Sequence, residues 1–78
     1  MEKKVLVYST PACPFCARVK QFLQDNGVDF ENYDVSADQA KAEEMINKSG
    51  QMGVPVVDIE GEIIVGFDRE KIARALGL

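Results

Sequence analysis

The feature that most restricts what this chain can fold into is a pair of cysteines, Cys13 and Cys16, placed between an apolar run and a helical pattern. Residues 5–8 are continuously apolar, which predicts a strand in the interior of a sheet. Across residues 14–26 the apolar positions recur at helical spacing, and Pro14 suits the first helical position. The two cysteines are therefore predicted at the first turn of a helix that directly follows a central strand.

The next part of the chain predicts a second strand and a second helix. Residues 28–35 carry β-forming side chains, and a crossover helix would place this strand parallel to the first. Ser36 and Gln39 have the spacing of a capping box and predict the start of a helix. Good helix formers continue through Lys48, and Gly50 supplies a stop.

The last part of the chain predicts a hairpin and a short helix. Residues 54–59 and 62–65 are two strand-like segments, separated by a two-residue turn with Gly61 in its second place. Asp68 is a good N-cap and predicts the final helix. The predicted order is βαβαββα within one α/β domain that covers residues 1–78.

Composition and charge exclude several classes of protein. The chain has 78 residues, near the lower limit for a fold held by a hydrophobic core alone. Apolar residues make up 46% and charged residues 28%, which is typical of a globular domain. The net charge of −4 and the lack of a basic run argue against a nucleic-acid partner.

The N-terminus and the cysteine usage indicate the compartment. Only four apolar residues follow the first four residues, too few for a signal peptide or a membrane span. A lone Cys-x-x-Cys beside a strand-helix-strand pattern is typical of redox chemistry in a reducing compartment. We therefore expect a cytoplasmic protein without membrane contact.

The spacing of the cysteines predicts two different roles. If Pro14 is the first helical residue, Cys13 is the N-cap, and its sulfur can accept hydrogen bonds from the N–H groups of Phe15 and Cys16. The partial positive charge of a helix N-terminus stabilises a thiolate there. Cys13 is thus the predicted nucleophile. Cys16, one turn further in and shielded, is the predicted resolving thiol.

Two plainer interpretations of the pair are a stabilising disulfide and half of a metal site. A disulfide that closes so short a loop would add only about 2 kcal/mol of stability on the loop-entropy model. A tetrahedral zinc site needs two more Cys or His ligands, and the chain has two cysteines and no histidine. A full set of thiolates would require a dimer. No metal, flavin or nucleotide motif is visible, so we expect no bound cofactor.

Three landmarks resemble the glutaredoxin family in order and spacing over essentially the whole chain. They are Cys13-Pro14-Phe15-Cys16, Val54-Pro55, and Gly66-Phe67-Asp68 at the start of the last helix. The resemblance is strongest to the small glutaredoxin-like proteins of prokaryotes. It implies a thioredoxin-like fold with a four-stranded mixed sheet flanked by helices. It also implies a dithiol oxidoreductase that reduces disulfide-containing proteins or glutathione mixed disulfides. The oligomeric state stays open, although nothing in the sequence suggests more than a monomer.

The resemblance implies a set of substrate-binding residues. Pro55 is expected in the cis form, and the main chain of Val54 is expected to pair with the backbone of the substrate's cysteine. Gly66 and Asp68 correspond to residues that receive the γ-glutamyl end of glutathione, which would act as a co-substrate. Gln51 could reach the glycyl carboxylate, and the alternative is that it serves only the loop.

The chain also departs from the family pattern at four positions. Thr10 stands where many members that use glutathione carry Lys or Arg, Gly53 replaces a common Thr, and Phe67 replaces a small residue. Phe15 stands where Tyr is common and presents an apolar ring beside the sulfur. The electron donor therefore stays open between glutathione and a thioredoxin reductase, as in small redoxins that serve ribonucleotide reductase.

Other interpretations remain beside the oxidoreductase. Two chains could hold a bridging iron-sulfur cluster, or the domain could bind partners without catalysis. Arg18 and Lys20 are interpreted as part of a solvated helix face. Five further side chains are assigned to the core or to helix packing without chemistry: Tyr8, Phe22, Phe30, Tyr33 and Met45.

Overall fold

A computed structural model describes residues 4–78, and its seven elements follow the predicted order βαβαββα. Residues 1–3, which contributed to the expectation of no targeting segment, lie outside the described residues. Within residues 4–78, no helix has the length and apolar character needed to cross a membrane. The elements are β1 (Val5–Ser9), α1 (Pro14–Asp25), β2 (Glu31–Asp34), α2 (Gln39–Ser49), β3 (Val56–Ile59), β4 (Glu62–Val65) and α3 (Arg69–Leu76).

The four strands form one mixed sheet in the order β2-β1-β3-β4. Strand β1 runs parallel to β2 and antiparallel to β3, and β3 runs antiparallel to β4. In register, Val7 lies opposite Asn32 on one side and Val57 on the other, and Val57 lies opposite Ile64. The interior position predicted for the first strand and the parallel second strand are confirmed.

Both faces of the sheet are covered, which explains the unbroken apolar run in β1. Val7 and Val57 belong to a core completed by side chains from α1 and α3, Leu23 and Ile72 among them. Tyr8, on the opposite face, packs in a second core that includes Met45 of α2. Because alternate side chains of a strand point to opposite faces, an interior strand between two helical layers is largely apolar on both faces.

Strand β2 is shorter than the predicted strand over residues 28–35. Only Glu31–Asp34 forms the strand, and its ladder to β1 pairs residues 31–34. Val28 and Phe30 are half-buried and pack against the core beneath α1 and α3. Their apolar character therefore serves packing rather than strand pairing.

The predicted capping box at Ser36 and Gln39 is wrong. The N-cap of α2 is Asp38, whose carboxylate accepts a 3.1 Å hydrogen bond from the amide of Lys41. Ser36 instead donates from its amide and its hydroxyl to the Asp34 carboxylate, at 2.9 and 2.5 Å. The Asp34 carboxylate holds Ser36 in a turn, and the stronger acceptor Asp38 starts the helix two residues later.

The hairpin and the last helix form as expected, with one shift of boundary. Glu60 and Gly61 both have positive φ, 52° and 90°, as a tight turn of type I′ requires. Strand β3 begins at Val56 rather than at residue 54. Asp68 caps α3 by accepting a 3.1 Å hydrogen bond from the amide of Lys71.

Candidate active site

Cys13 lies where the loop after β1 enters α1. Its amide donates to the carbonyl of Thr10 at 3.3 Å, its φ and ψ are −98° and 111°, and Pro14 is the first helical residue. The amide of Cys16 donates to Cys13 Sγ at 3.1 Å. The second bond expected, from Phe15, is not formed within the described residues. The predicted capping geometry of Cys13 is confirmed with one N–H donor.

The two cysteines are unlike in their surroundings. Both are free thiols, and Cys13 is partly exposed, whereas Cys16 is 0% exposed. Burial raises the pKa of Cys16 to about 11, hydrogen bonding to the Cys13 side chain adds to the rise, and the backbone of Thr10 opposes it. A partly exposed sulfur held by a helix N-terminus therefore lies next to a buried sulfur that stays protonated near neutral pH.

Large apolar side chains are exposed in α1 and in the loop before β3. The ring of Phe15, between the two cysteines, is 54% exposed, and the Arg18 guanidinium lies 5.4 Å from its centroid. Met52, in the loop before β3, is 79% exposed. Phe15 therefore presents an accessible apolar ring in the segment between the two cysteines.

The peptide bond between Val54 and Pro55 is cis, which confirms that prediction. The β1–β3 ladder ends at the pair Tyr8 and Val56. Pro55 therefore lies just beyond the ladder, at the end of the strands where β1 leads toward Cys13. Val54 is half-buried and packs against the core under α2. Its amide and carbonyl make no hydrogen bond to any residue from 4 to 78.

Gly66 and Asp68 lie at the same end of the sheet as Pro55, just after β4. The amide of Gly66 donates to the carbonyl of Pro55 at 2.8 Å, and its φ is 81°. One carboxylate oxygen of Asp68 is used by the helix cap. Phe67, between them, turns toward α1, and its ring meets that of Phe22 edge to face at 6.2 Å.

Gln51 is half-buried in the loop that leads to Val54. Its backbone is held by Ser49, whose hydroxyl donates to the Gln51 carbonyl at 3.0 Å and accepts from the Gln51 amide at 3.3 Å. The side-chain amide lies beside Gly53, where a Cβ would come within 3.4 Å of Gln51 Nε2. The absence of a side chain at Gly53 leaves this space to Gln51.

One polar cluster was missed from the sequence. The buried Tyr8 donates its hydroxyl to Glu44 at 2.6 Å and accepts a hydrogen bond from Lys48 Nζ at 2.8 Å. Lys48 also binds the buried Asp58 carboxylate at 2.7 Å, and the other Asp58 oxygen accepts from the amide of Gly61 at 2.8 Å. An Asp inside an apolar strand was the available signal, because a buried carboxylate requires a partner.

Hydrogen bonding and ionic contacts in this cluster shift several pKa values. Burial and the Glu44 contact raise the pKa of Tyr8, and the Tyr8 hydroxyl lowers the pKa of Glu44. The pKa of Lys48 is raised by Asp58 and Tyr8 although burial opposes the rise. The cluster joins α2 to the sheet and lies outside the residues predicted for the site. Residues 4–78 contain no group of three or more acidic, Cys or His side chains arranged to hold a metal.

The fold and the cysteine pair define a thioredoxin-like protein with two neighbouring thiols at a helix start. Residues 5–64 match the family model described as Glutaredoxin. The chain belongs to the glutaredoxin family.

Relatives and solved structures agree with this assignment. The chain is 42% identical over 72 residues to a glutaredoxin-like 8.6 kDa protein in the rubredoxin operon of Clostridium pasteurianum, covering 92% of this chain and 96% of the relative. It is 39% identical over 64 residues to glutaredoxin 3 of Escherichia coli strain K12, covering 82% and 77%. The crystal structure of the thioredoxin-like protein BC3987 superposes with a TM-score of 0.87 and 38% identity, covering 92% of this chain and 99% of that one.

Two further solved structures share the fold, one in complex with glutathione and the other with a thioredoxin-like activity profile. Buckwheat glutaredoxin, solved in complex with glutathione, has a TM-score of 0.78 and 25% identity, covering 96% of this chain and 77% of that one. The glutaredoxin-like NrdH-redoxin of Escherichia coli, described with a thioredoxin-like activity profile, has a TM-score of 0.79 and 27% identity, covering 91% and 92%.

Proposed function

We propose that this protein is a dithiol oxidoreductase that reduces mixed disulfides of proteins or of glutathione, with Cys13 as nucleophile and Cys16 as resolving thiol. The observation that carries the proposal is the difference between the two sulfurs. Cys13 is partly exposed and capped by a backbone N–H, and Cys16 is fully buried with a raised pKa. Pro14 supports this difference because it starts the helix directly after the nucleophile.

The proposed reaction moves two electrons from the cysteine pair to the substrate. The Cys13 thiolate attacks one sulfur of the substrate disulfide, a mixed disulfide forms, and the first substrate thiolate leaves and takes up a proton. Cys16 then loses its proton and attacks Cys13 Sγ, which releases the second substrate thiol and leaves a Cys13–Cys16 disulfide. An external thiol donor returns the pair to the reduced form.

Val54 is proposed to hold the substrate polypeptide. Its amide and carbonyl are free of partners within residues 4–78, and it lies next to Pro55 just before β3, at the end of the sheet where β1 leads toward Cys13. A substrate strand can take up these two groups in antiparallel pairing, which is strand addition over a single residue. The exposed ring of Phe15 provides apolar contact beside the reacting sulfur.

The proposal has two versions, which differ in whether glutathione or a thioredoxin reductase donates the electrons. Glutathione is favoured by the family and by the presence of Gly66, Asp68 and Gln51 at positions that the resemblance assigns to glutathione, and a solved relative is a glutathione complex. A thioredoxin reductase, with ribonucleotide reductase as one client class, is favoured by Thr10 in place of a cation and by the likeness to NrdH-redoxin. The lone cysteine pair supports a cytoplasmic location in either version.

The test is NADPH oxidation with a small mixed-disulfide substrate, run with glutathione plus glutathione reductase and, separately, with thioredoxin reductase alone. Turnover only with glutathione supports the first version, and turnover only with thioredoxin reductase supports the second. Cys13→Ser is the control that removes the proposed nucleophile. Full activity of Cys13→Ser, or no activity of the wild type with either donor, would refute the proposal.

A further inference from the structure

A groove runs between α1 and α3, and one of its lining residues, Arg18, lies over the ring of Phe15, which separates the two cysteines in the sequence. Its near part, with a volume of about 330 Å³, is lined by Arg18, Phe22, Phe67 and Arg69 among others. Its far part, of about 390 Å³, shares Phe22 and Arg69 and continues to Glu70 and Ala73. The groove therefore combines aromatic walls with two guanidinium groups.

The two arginines are available for an incoming anion. Neither Arg18 nor Arg69 forms an ion pair with any acidic residue in the part of the chain that the structure describes. Each lies over an aromatic ring, Arg18 at 5.4 Å from the Phe15 centroid and Arg69 at 5.5 Å from that of Phe22. A guanidinium stacked on a ring is held in place while its N–H groups stay free for a carboxylate.

Charge is distributed unequally along the groove. Arg18 lies near the start of α1 and Arg69 at the start of α3. Both positions are toward the end of the sheet at which Cys13 lies. Asp25 lies at the opposite end of α1, where Gln21 donates to its carboxylate at 2.8 Å. Because Asp25 and Glu70 also line the groove, its positive charge is local to the two guanidinium groups and is not a property of the groove as a whole.

We propose that this groove binds an acidic side chain of the client polypeptide, close in sequence to the client's reactive cysteine. The inference rests on the proposed function and names its substrate class: protein disulfides flanked by Asp or Glu. Arg18 lies about 7.5 Å along the helix axis from Cys13. An extended client chain rises about 3.4 Å per residue, so an acid about two to five residues from its cysteine can reach the arginines.

The charge and the shape of the groove favour a polypeptide with both an acid and an apolar neighbour. The rings of Phe22 and Phe67 present apolar surface between the two guanidinium groups. An apolar side chain next to the client's acid can cover these rings while the carboxylate reaches Arg18 or Arg69.

The experiment uses the reduced protein in a single turnover, so that no electron donor is needed. Three peptide disulfides differ only at the fourth residue after the cysteine, which is Glu, Gln or Lys, and hydroxyethyl disulfide serves as an uncharged small substrate. Rates are compared for the wild type, for the double variant Arg18→Gln with Arg69→Gln, and for Arg74→Gln. Arg74 is an exposed arginine of α3 outside the groove and provides the matched change of charge.

We expect the wild type to reduce the Glu peptide about fivefold faster than the Gln peptide at low ionic strength, a size typical of exposed ion pairs. The ratio should fall to about one in the double variant and stay unchanged in Arg74→Gln. Equal rates for the three peptides, or a ratio that survives in the double variant, would overturn the inference. Glutathione disulfide is reduced in parallel, and an equal slowing of its reduction in the double variant would also overturn the inference, because it would assign the arginines to the tripeptide. Failure to reduce hydroxyethyl disulfide would instead refute the proposed function.

Discussion

The amide nitrogen of Cys16 lies 3.1 Å from the sulfur of Cys13, while the sulfur of Cys16 itself is fully buried. The same residue thus holds the exposed sulfur by its backbone and presents the buried sulfur by its side chain. Because the capping donor is a main-chain group, changes to the side chain at position 16 leave it in place.

Cys16→Ser should trap the reaction half-way. The variant keeps the N–H that caps Cys13 but has no thiol to resolve the mixed disulfide, so the substrate should remain attached to Cys13 in a 1:1 adduct when no glutathione is present. Mass spectrometry of the intact protein measures the adduct. Cys13→Ser should form none, and adduct formation on Cys16 in that variant would contradict the assigned roles.

The reactivity of Cys16 should depend steeply on pH. Burial is the largest cause of the raised pKa of Cys16, which is about 11 in the protein with both thiols, and the Cys13 side chain adds to the rise. Iodoacetamide labelling of Cys13→Ser measures the Cys16 thiol without the contribution of Cys13. Because burial remains, we expect alkylation to accelerate about tenfold per pH unit beyond about pH 9, and labelling at about pH 8 to be at least about tenfold slower than that of a cysteine in an unstructured peptide. A plateau near pH 9 would show that the thiol is not held in its buried environment.

Two substitutions at Asp68 should separate helix capping from glutathione binding. Asp68→Ala removes the acceptor of the Lys71 amide and should cost about 1 kcal/mol of the free energy of unfolding, measured with urea. Asp68→Asn keeps a good cap and should cost much less. If the carboxylate also holds the amino group of glutathione, Asp68→Asn should raise the KM for glutathione about threefold to tenfold. An unchanged KM would leave Asp68 as a cap alone.

Lys48→Met should destabilise the fold through Asp58. The Asp58 side chain is only 10% exposed, and without Lys48 its carboxylate would retain only the Gly61 amide as partner. We expect a loss of about 2 kcal/mol in the free energy of unfolding. The matched control Lys41→Met removes the more exposed ion pair with Glu44 and should cost less than about 1 kcal/mol. Equal effects of the two variants would contradict the role given to Asp58.

Local sequence determined what could be predicted. The position of Cys13 as a cap and that of Asp68 as another depend on a few neighbouring residues, and both were confirmed. The capping box at Ser36 failed because the nearby Asp34 carboxylate competed for its donors. Partners far apart in the chain could not be predicted, since the Lys48 contact with Tyr8 exists only after α2 packs on the sheet.

The groove between α1 and α3 lay beyond sequence reasoning for the same reason. Arg18 was interpreted as part of a solvated face of α1, which is all that its helical position indicates. Its place next to Phe67 and Arg69 depends on how α3 packs beside α1, and that packing follows from the shared core rather than from any local motif.

The hydrogen bond from the Gly66 amide to the Pro55 carbonyl joins the loop before β3 to the loop after β4. Two segments that are separate in the sequence are thereby fixed to each other before any ligand arrives. The conformational entropy of ordering them is lost on folding and not on binding, which favours affinity from a short contact surface. A chain of 78 residues can in this way fix in advance the two segments that are proposed to contact the substrate.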